Sequence, residues 1–238
     1  MISTSLAVIP ARGGSKRIPR KNIRPFLDRP IIEYSIKAAI QSQSFDEIMV
    51  STDDPEISSI AQEAGAKVPF FRSSDAASDH AILADVVAEV LKTYNSNGRE
   101  FTHCCCILAT APFVTASDIT VSYRTMLEAQ ADGIVSIVRY SYPIQRALRV
   151  VDDRIEMICP ENMTARSNDL SPSYHDAGQF YWLVVDRFLV AKSLFMKNTI
   201  GFEISESRVQ DIDTLEDWKI AEMKYQSSRA ARTGSTSL

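Results

Sequence analysis

Residues 12–29 hold seven cations (Arg12, Lys16, Arg17, Arg20, Lys21, Arg24 and Arg29) against one acid, Asp28, in a chain whose formal net charge is −4. Gly13 and Gly14 open this run, directly after the apolar Ala7-Val8-Ile9. Backbone N–H groups of a glycine-rich turn after a strand make a nest for phosphate oxygens, and lysines and arginines add the charge. The spacing fits neither GxxxxGK[ST] nor GxGxxG, which points to a phosphate cradle of another kind. A solvated basic turn or a nucleic-acid patch are the competing readings. Against nucleic acid stand the acidic overall balance and the lack of any aromatic in the run besides Phe26.

Asp211-Ile212-Asp213 is the second constellation. In an extended segment residues i and i+2 share a face, which predicts that both carboxylates point together while Ile212 faces the core. Two hard oxygen donors suit Mg²⁺, commonly held by one or two carboxylates plus substrate phosphates. Alone, such a pair reads as well as a strand end or a helix cap; the cationic loop is what gives it a partner. The other reactive side chains offer less. His80, His103 and His175 are scattered without metal-ligand spacing, and no serine sits in a nucleophile elbow. Cys104-Cys105-Cys106 lie in an apolar run whose neighbours alternate in direction, and Cys159 stands alone. Buried reduced thiols acting as small hydrophobes are the expectation.

Elements of ordinary length must position these groups. Residues 6–10 read as a buried strand ending at the loop, and Pro30 opens a helix to about Gln41. A strand over 48–50 and a helix over 55–64, with Asp54 as cap and Gly65 as stop, come next. A strand over 68–71, a helix over 81–91 and a central strand over 103–108 continue the alternation. A helix capped by Thr115 or Ser117 and a strand over 133–138 complete it. Alternation of buried strands with helices predicts a largely parallel α/β sheet with ligands outside the carboxyl ends of its strands. From residue 139 to 173 the rhythm breaks into short strand-like runs joined by Asp152-Asp153, a hairpin pattern and an excursion from the sheet. Strands over 179–185 and 200–204 enclose a helix over 186–194. The extended run 209–213 then leads to Thr214-Leu215-Glu216-Asp217, a capping box opening a last helix to about Tyr225. One domain over 1–226 and a disordered tail over 227–238 are expected. No apolar run approaches a membrane span and no secretory signal opens the chain, so a cytoplasmic protein is expected.

The run Pro10-Ala11-Arg12-Gly13-Gly14-Ser15-Lys16-Arg17-Ile18-Pro19-Arg20-Lys21-Asn22, with Arg208-Val209-Gln210-Asp211-Ile212-Asp213-Thr214-Leu215-Glu216-Asp217-Trp218 near the end, resembles the CMP-sugar synthetases. These are cytidylyltransferases that activate nonulosonic acids and KDO. Within that family, Ala109-Thr110-Ala111-Pro112-Phe113 and the segment from Tyr174 to Trp182 are most similar to members that act on pseudaminic acid. The resemblance implies a Rossmann-like nucleotidyltransferase fold, a mixed, largely parallel sheet flanked by helices, with the 139–173 excursion as a small dimerisation element. It implies CTP and an acidic nine-carbon sugar as substrates, Mg²⁺ as cofactor, a homodimer, and neither nucleic acid nor membrane as partner. Arg12, Gly14, Ser15, Lys16, Lys21, Asn22 and Arg72 fall where the family binds the nucleotide. Asp211 and Asp213 match the metal pair, and Arg166, Gln179 and Tyr181 lie toward the sugar. Arg12 and Lys21 would neutralise the α-phosphate and the departing pyrophosphate, while Asp211 or a metal-bound water takes the proton of the sugar hydroxyl. Leu108 and Leu83 replace a glutamine and a hydroxyl residue of the sialic acid synthetases, which argues against N-acetylneuraminate as substrate. CMP activation of another acidic sugar (legionaminic acid, N-acetylneuraminic acid or KDO) and a non-catalytic nucleotide-binding module on the same scaffold are the alternatives.

Overall fold

Residues 4–77 and 81–234 are described by a computed structural model, so His80 and the last residues of the tail lie outside it. β1 (Ser5–Pro10) runs into the cationic loop, and a two-stranded ribbon of β2 (Pro25–Phe26) and β3 (Arg29–Pro30) precedes α1 (Ile32–Ser42). Next come β4 (Glu47–Ser51), α2 (Pro55–Glu63), α3 (Ser74–Ala77), α4 (Leu83–Ser96), β5 (His103–Ile107), α5 (Ala116–Glu128) and β6 (Gly133–Arg139). The excursion carries β7 (Leu148–Val151) and β8 (Arg154–Met157). β9 (Tyr174–Val184), α6 (Val185–Ala191), β10 (Thr199–Glu203) and α7 (Leu215–Gly234) complete the chain.

The main sheet has the order β10-β6-β9-β5-β1-β4, and β9 alone runs antiparallel to its neighbours β5 and β6. This is the mixed, mostly parallel sheet expected. Its inner strands β1 and β5 are buried on both faces, as strands covered by helices must be, while the edge strand β10 is only part-buried. Ala7, Ile9, Val50, Cys105 and Trp182 pack with α1, α2 and α5, whereas Leu6, Val8, Met49, Cys104, Cys106 and Tyr181 pack with α4 and α6. The adjacent thiols therefore face opposite ways and meet no common ion. Burial pushes all three up, Cys106 to about 12. A third cluster joins Ile18 of the loop to Phe26, Tyr34, Phe113, Ile212 and Trp218.

Caps fix the helix starts. Asp54 accepts from Glu56 and Ile57 N–H with Pro55 behind it, and Thr115 and Asp118 form a reciprocal capping box on α5, which makes Thr115 the cap. Thr214 and Asp217 do the same on α7. Several expectations shift. α1 starts at Ile32, because Arg29–Pro30 pairs with the ribbon first. Residues 68–71 form no strand: Lys67 alone bridges to Met49, and Pro69 two residues on has no N–H to extend a ladder. β9 starts at Tyr174, five residues before Gln179, and bulges where Gly178 takes φ +60 and the β6 register slips between Val135 and Ile137. Residues 209–213 make no ladder. α7 runs to Gly234, past Tyr225, so residues 227–234 are helical where a disordered tail was expected. Among the described residues no helix is long and apolar enough to cross a membrane.

Candidate functional site

The cationic loop leaves the carboxyl end of β1 and is shaped by two acids from the end of β4. Gly13 N–H donates to Asp53 Oδ1 at 2.9 Å, and Arg20, held at φ 56, is ion-paired through its guanidinium to Asp54 and Glu56. A Cβ on Gly13 would meet Asp54 Oδ2 at 2.7 Å, whereas one on Gly14 meets nothing within 4 Å. The steric demand for glycine thus falls on Gly13. Asn22 Nδ2 donates to the Arg12 carbonyl at 2.9 Å and closes the loop on itself.

Arg12, Ser15, Lys16, Lys21, Asn22 and Arg72 line one cleft of about 280 Å³, with Leu83 and Leu108 in its wall. Six of the seven residues expected to bind nucleotide are therefore brought together. Arg72 is 9% exposed and is aimed by Ser51, donating from Nε to Oγ at 3.1 Å and from Nη2 to the carbonyl at 2.6 Å. Its burial lowers the guanidinium's pKa, opposed by the nearby charges of Asp53 and Glu89.

Asp213 of the acidic pair reaches the same loop. Lys21 Nζ donates to the Ile212 carbonyl at 2.7 Å and lies 3.6 Å from Asp213 Oδ1, while Arg17 bonds Asp213 Oδ2 at 2.8 Å. Ile212 is 2% exposed and faces the core, as the alternation requires. Asp211 is exposed and lines a second cleft with Arg139, Tyr140, His175 and Lys224. This unladdered segment is held by side chains. Lys224 Nζ donates to the Val209 carbonyl at 2.8 Å, Gln179 Nε2 to the Arg208 carbonyl at 2.6 Å, and the Arg208 guanidinium pairs with Asp118. Among the described residues no three His, Cys, Asp or Glu side chains group as a metal site; Asp213, paired with Arg17 and Lys21, and Asp211, on the second cleft, are what this segment offers a metal. That donor set is hard and sparse, which fits Mg²⁺ completed by phosphate oxygens and water.

Gln179 and Tyr181 stand where the strand passes the site, each 3% exposed. The Tyr181 hydroxyl donates to Asp176 Oδ2 at 2.5 Å, and burial followed by that bond raises its pKa well above the usual phenol value. Arg166 is exposed on the excursion and lines neither cleft. Asp53, Asp54, Asp118, Asp176, Arg20 and Arg208 are the residues sequence reasoning did not assign to the site. Asp54 carried a cap signal; for Arg20, Asp118 and Arg208 no local pattern announces partners that lie 34 to 90 positions away.

The model of a family described as cytidylyltransferase matches residues 6–165. The chain is 37% identical, over 93% of its length and 96% of the relative's, to pseudaminic acid cytidylyltransferase of Campylobacter jejuni. It is 32% identical, over 91% of its length and 94% of the relative's, to the CMP-N,N'-diacetyllegionaminic acid synthase of Legionella pneumophila. Among solved structures, a CMP:2-keto-3-deoxy-manno-octonic acid synthetase complexed with CTP shares the fold, with a TM-score of 0.71 covering 95% of this chain and 100% of that one at 18% identity.

Proposed function

From the premise that the chain belongs to the cytidylyltransferase family, we propose that it transfers CMP from CTP to the anomeric hydroxyl of pseudaminic acid, releasing pyrophosphate. The observation that carries this reading is the meeting of Lys21 with Asp213 and the Ile212 carbonyl, which supports treating the cationic loop and the acidic pair as one site. The choice of sugar is supported by the 37% identity to the Campylobacter relative.

The chemistry asks the protein for position and charge. The sugar hydroxyl attacks the α-phosphorus, the bond to the β-phosphate oxygen breaks, and pyrophosphate departs; Arg12 and Lys21 hold the α-phosphate and neutralise the leaving group. Gly14, Ser15, Lys16, Asn22 and Arg72 bind the rest of the nucleotide. Asp211 and Asp213 would hold Mg²⁺, which when bound supplies charge neutralisation to the phosphate oxygens. Asp211 also serves as the base that takes the hydroxyl proton. The second cleft beside Asp211 is the space for the sugar, and Arg139 at its edge supplies a cation for the substrate's carboxylate. We also read the protein as a cytoplasmic homodimer joined through the 139–173 excursion, which offers Arg166 to a sugar.

Pyrophosphate release is the test: CTP and Mg²⁺ with pseudaminic, legionaminic or N-acetylneuraminic acid or KDO, side by side. Release with pseudaminic acid in preference to the others supports the reading, and preference for another acid reassigns the substrate. CTP binding without release under any of them leaves a non-catalytic module.

A further inference from the structure

Two side chains expected to face the sugar are already committed elsewhere. Gln179 gives its amide N–H to the Arg208 carbonyl, and the one O–H of Tyr181 goes to Asp176. With each 3% exposed, neither has much surface to offer a ligand. Three neighbouring polar residues of the strand, Tyr174, His175 and Asp176, are exposed, and the one of these hydrogen-bonded to Tyr181 is Asp176. Its Oδ1 accepts Gly178 N–H at 2.8 Å and its Oδ2 accepts the Tyr181 hydroxyl at 2.5 Å, so both oxygens are fixed in direction while each keeps lone-pair capacity.

Asp176 is not among the residues lining either cleft; its sequence neighbour His175 is, and its hydrogen-bond partner Tyr181 lies near the other. Tyr181 pairs across β5 with Cys106, two residues before Leu108 in the nucleotide cleft, and His175, next to Asp176, lines the cleft of Asp211. Cys106 feels both Arg72 and Asp176, and the Tyr181 hydroxyl feels both Asp176 and Asp211. The bulge at Gly178 is what turns Asp176 back toward the Tyr181 hydroxyl five residues on.

We propose that Asp176 is the residue of β9 that touches the sugar, accepting hydrogen bonds from its hydroxyl or acylamino N–H groups, and that Tyr181 is the positioning residue that aims it. The inference rests on the cytidylyltransferase reading above. An acceptor-only carboxylate repels the substrate's own carboxylate and the triphosphate, so Asp176 also sets orientation: the donor-bearing part of the sugar toward β9, the acid group toward the cations.

The experiment measures pyrophosphate release by the wild-type protein with each of the acids named above, then by Asp176→Asn, Tyr181→Phe and the double variant with the preferred acid. Asp176→Asn keeps the shape and removes the charge. It is expected to lower kcat/KM for the acid about 10- to 100-fold, the value of a hydrogen bond to a charged group, with KM for CTP unchanged and a modest fall in melting temperature, because an amide accepts only one of the two hydrogen bonds from Gly178 and Tyr181. Tyr181→Phe should raise KM for the acid with kcat largely kept, and the double variant should lose little beyond Asp176→Asn, because the two act as a unit. Unchanged kcat/KM for the acid in Asp176→Asn, or an equal rise in KM for CTP, overturns the inference alone. A wild-type protein that turns over none of the acids overturns the cytidylyltransferase reading and the inference with it.

Discussion

Lys21 is the residue on which the two halves of the site depend, since one ammonium touches the Ile212 carbonyl and stands beside Asp213. Removing a preorganised charge of this kind costs about 10²–10³ in kcat, so Lys21→Ala is expected to lose that much turnover while its far-UV circular dichroism stays that of the wild type. Near-normal turnover would remove the loop from the chemistry. Asp54 is the residue whose charge holds the loop's shape. The hydrogen bond from Arg20, ahead of the backbone N–H of Ile57, lowers its pKa to about 2, below the ordinary carboxyl value near about 4. A carboxyl depressed in the folded state takes up its proton first in the unfolded chain. Its contribution to stability is therefore fully present above about pH 4 and is lost as pH falls toward 2. Arg20→Ala should give a shallower loss of stability across that window, read by urea unfolding at stepped pH; an identical acid slope would mean the pair is not coupled to folding.

At the scale of elements, the segment that carries Asp211 and Asp213 has no ladder of its own and borrows its rigidity. Arg208 is the main anchor, paired with Asp118 and donating from Nη2 to the Phe113 carbonyl at 3.2 Å. Arg208→Ala is expected to cost about 1–3 kcal/mol of stability and to raise the Mg²⁺ concentration needed for half-maximal activity, because the acidic pair loses its fixed backbone. An unchanged Mg²⁺ requirement would limit Arg208 to a purely structural part. That anchor shows where sequence reading stops. Strands such as β1 and β5 and the caps at Asp54, Thr115 and Thr214 were legible, because periodicity and capping act within a few residues. The loop and the acidic pair stood out by charge, and the structure brings Asp213 to the loop. What joins them was not legible: the Lys21 to Ile212 bond, the Arg208 to Asp118 pair and the Tyr181 to Asp176 bond depend on side-chain directions set by packing. Residues 68–71 failed for a related reason, since an apolar run with β-forming residues reads as a strand whether or not the sheet has an edge that can use it.

At the scale of the molecule, the excursion is the part that its own chain leaves uncovered. β7 and β8 pair Leu148 with Met157 and Val150 with Ile155 on one face of the hairpin, and Arg149 with Glu156 on the other, where they form a 3.0 Å ion pair. The apolar face is solvent-facing here, with Val150 71% and Ile155 69% exposed, and Tyr142 and Met163 nearby in sequence are 85% and 62% exposed. Contiguous apolar surface of this kind is uncommon on a monomer, and a second copy of the same face would cover it. This exposed face is what supports the proposed homodimer, which would bear on the chemistry. Arg166 rides on this excursion and lines neither cleft of its own chain, so the proposed dimer would offer it to the partner's cleft. Sedimentation equilibrium should therefore return twice the 26.5 kDa chain mass for the wild type and the single mass for the Val150→Glu, Ile155→Glu double variant. The monomer should keep CTP binding, whose residues all lie on one chain, and lose transfer to the sugar. A monomeric wild type, or a monomeric variant with full transfer activity, would take both the interface and the shared site out of account.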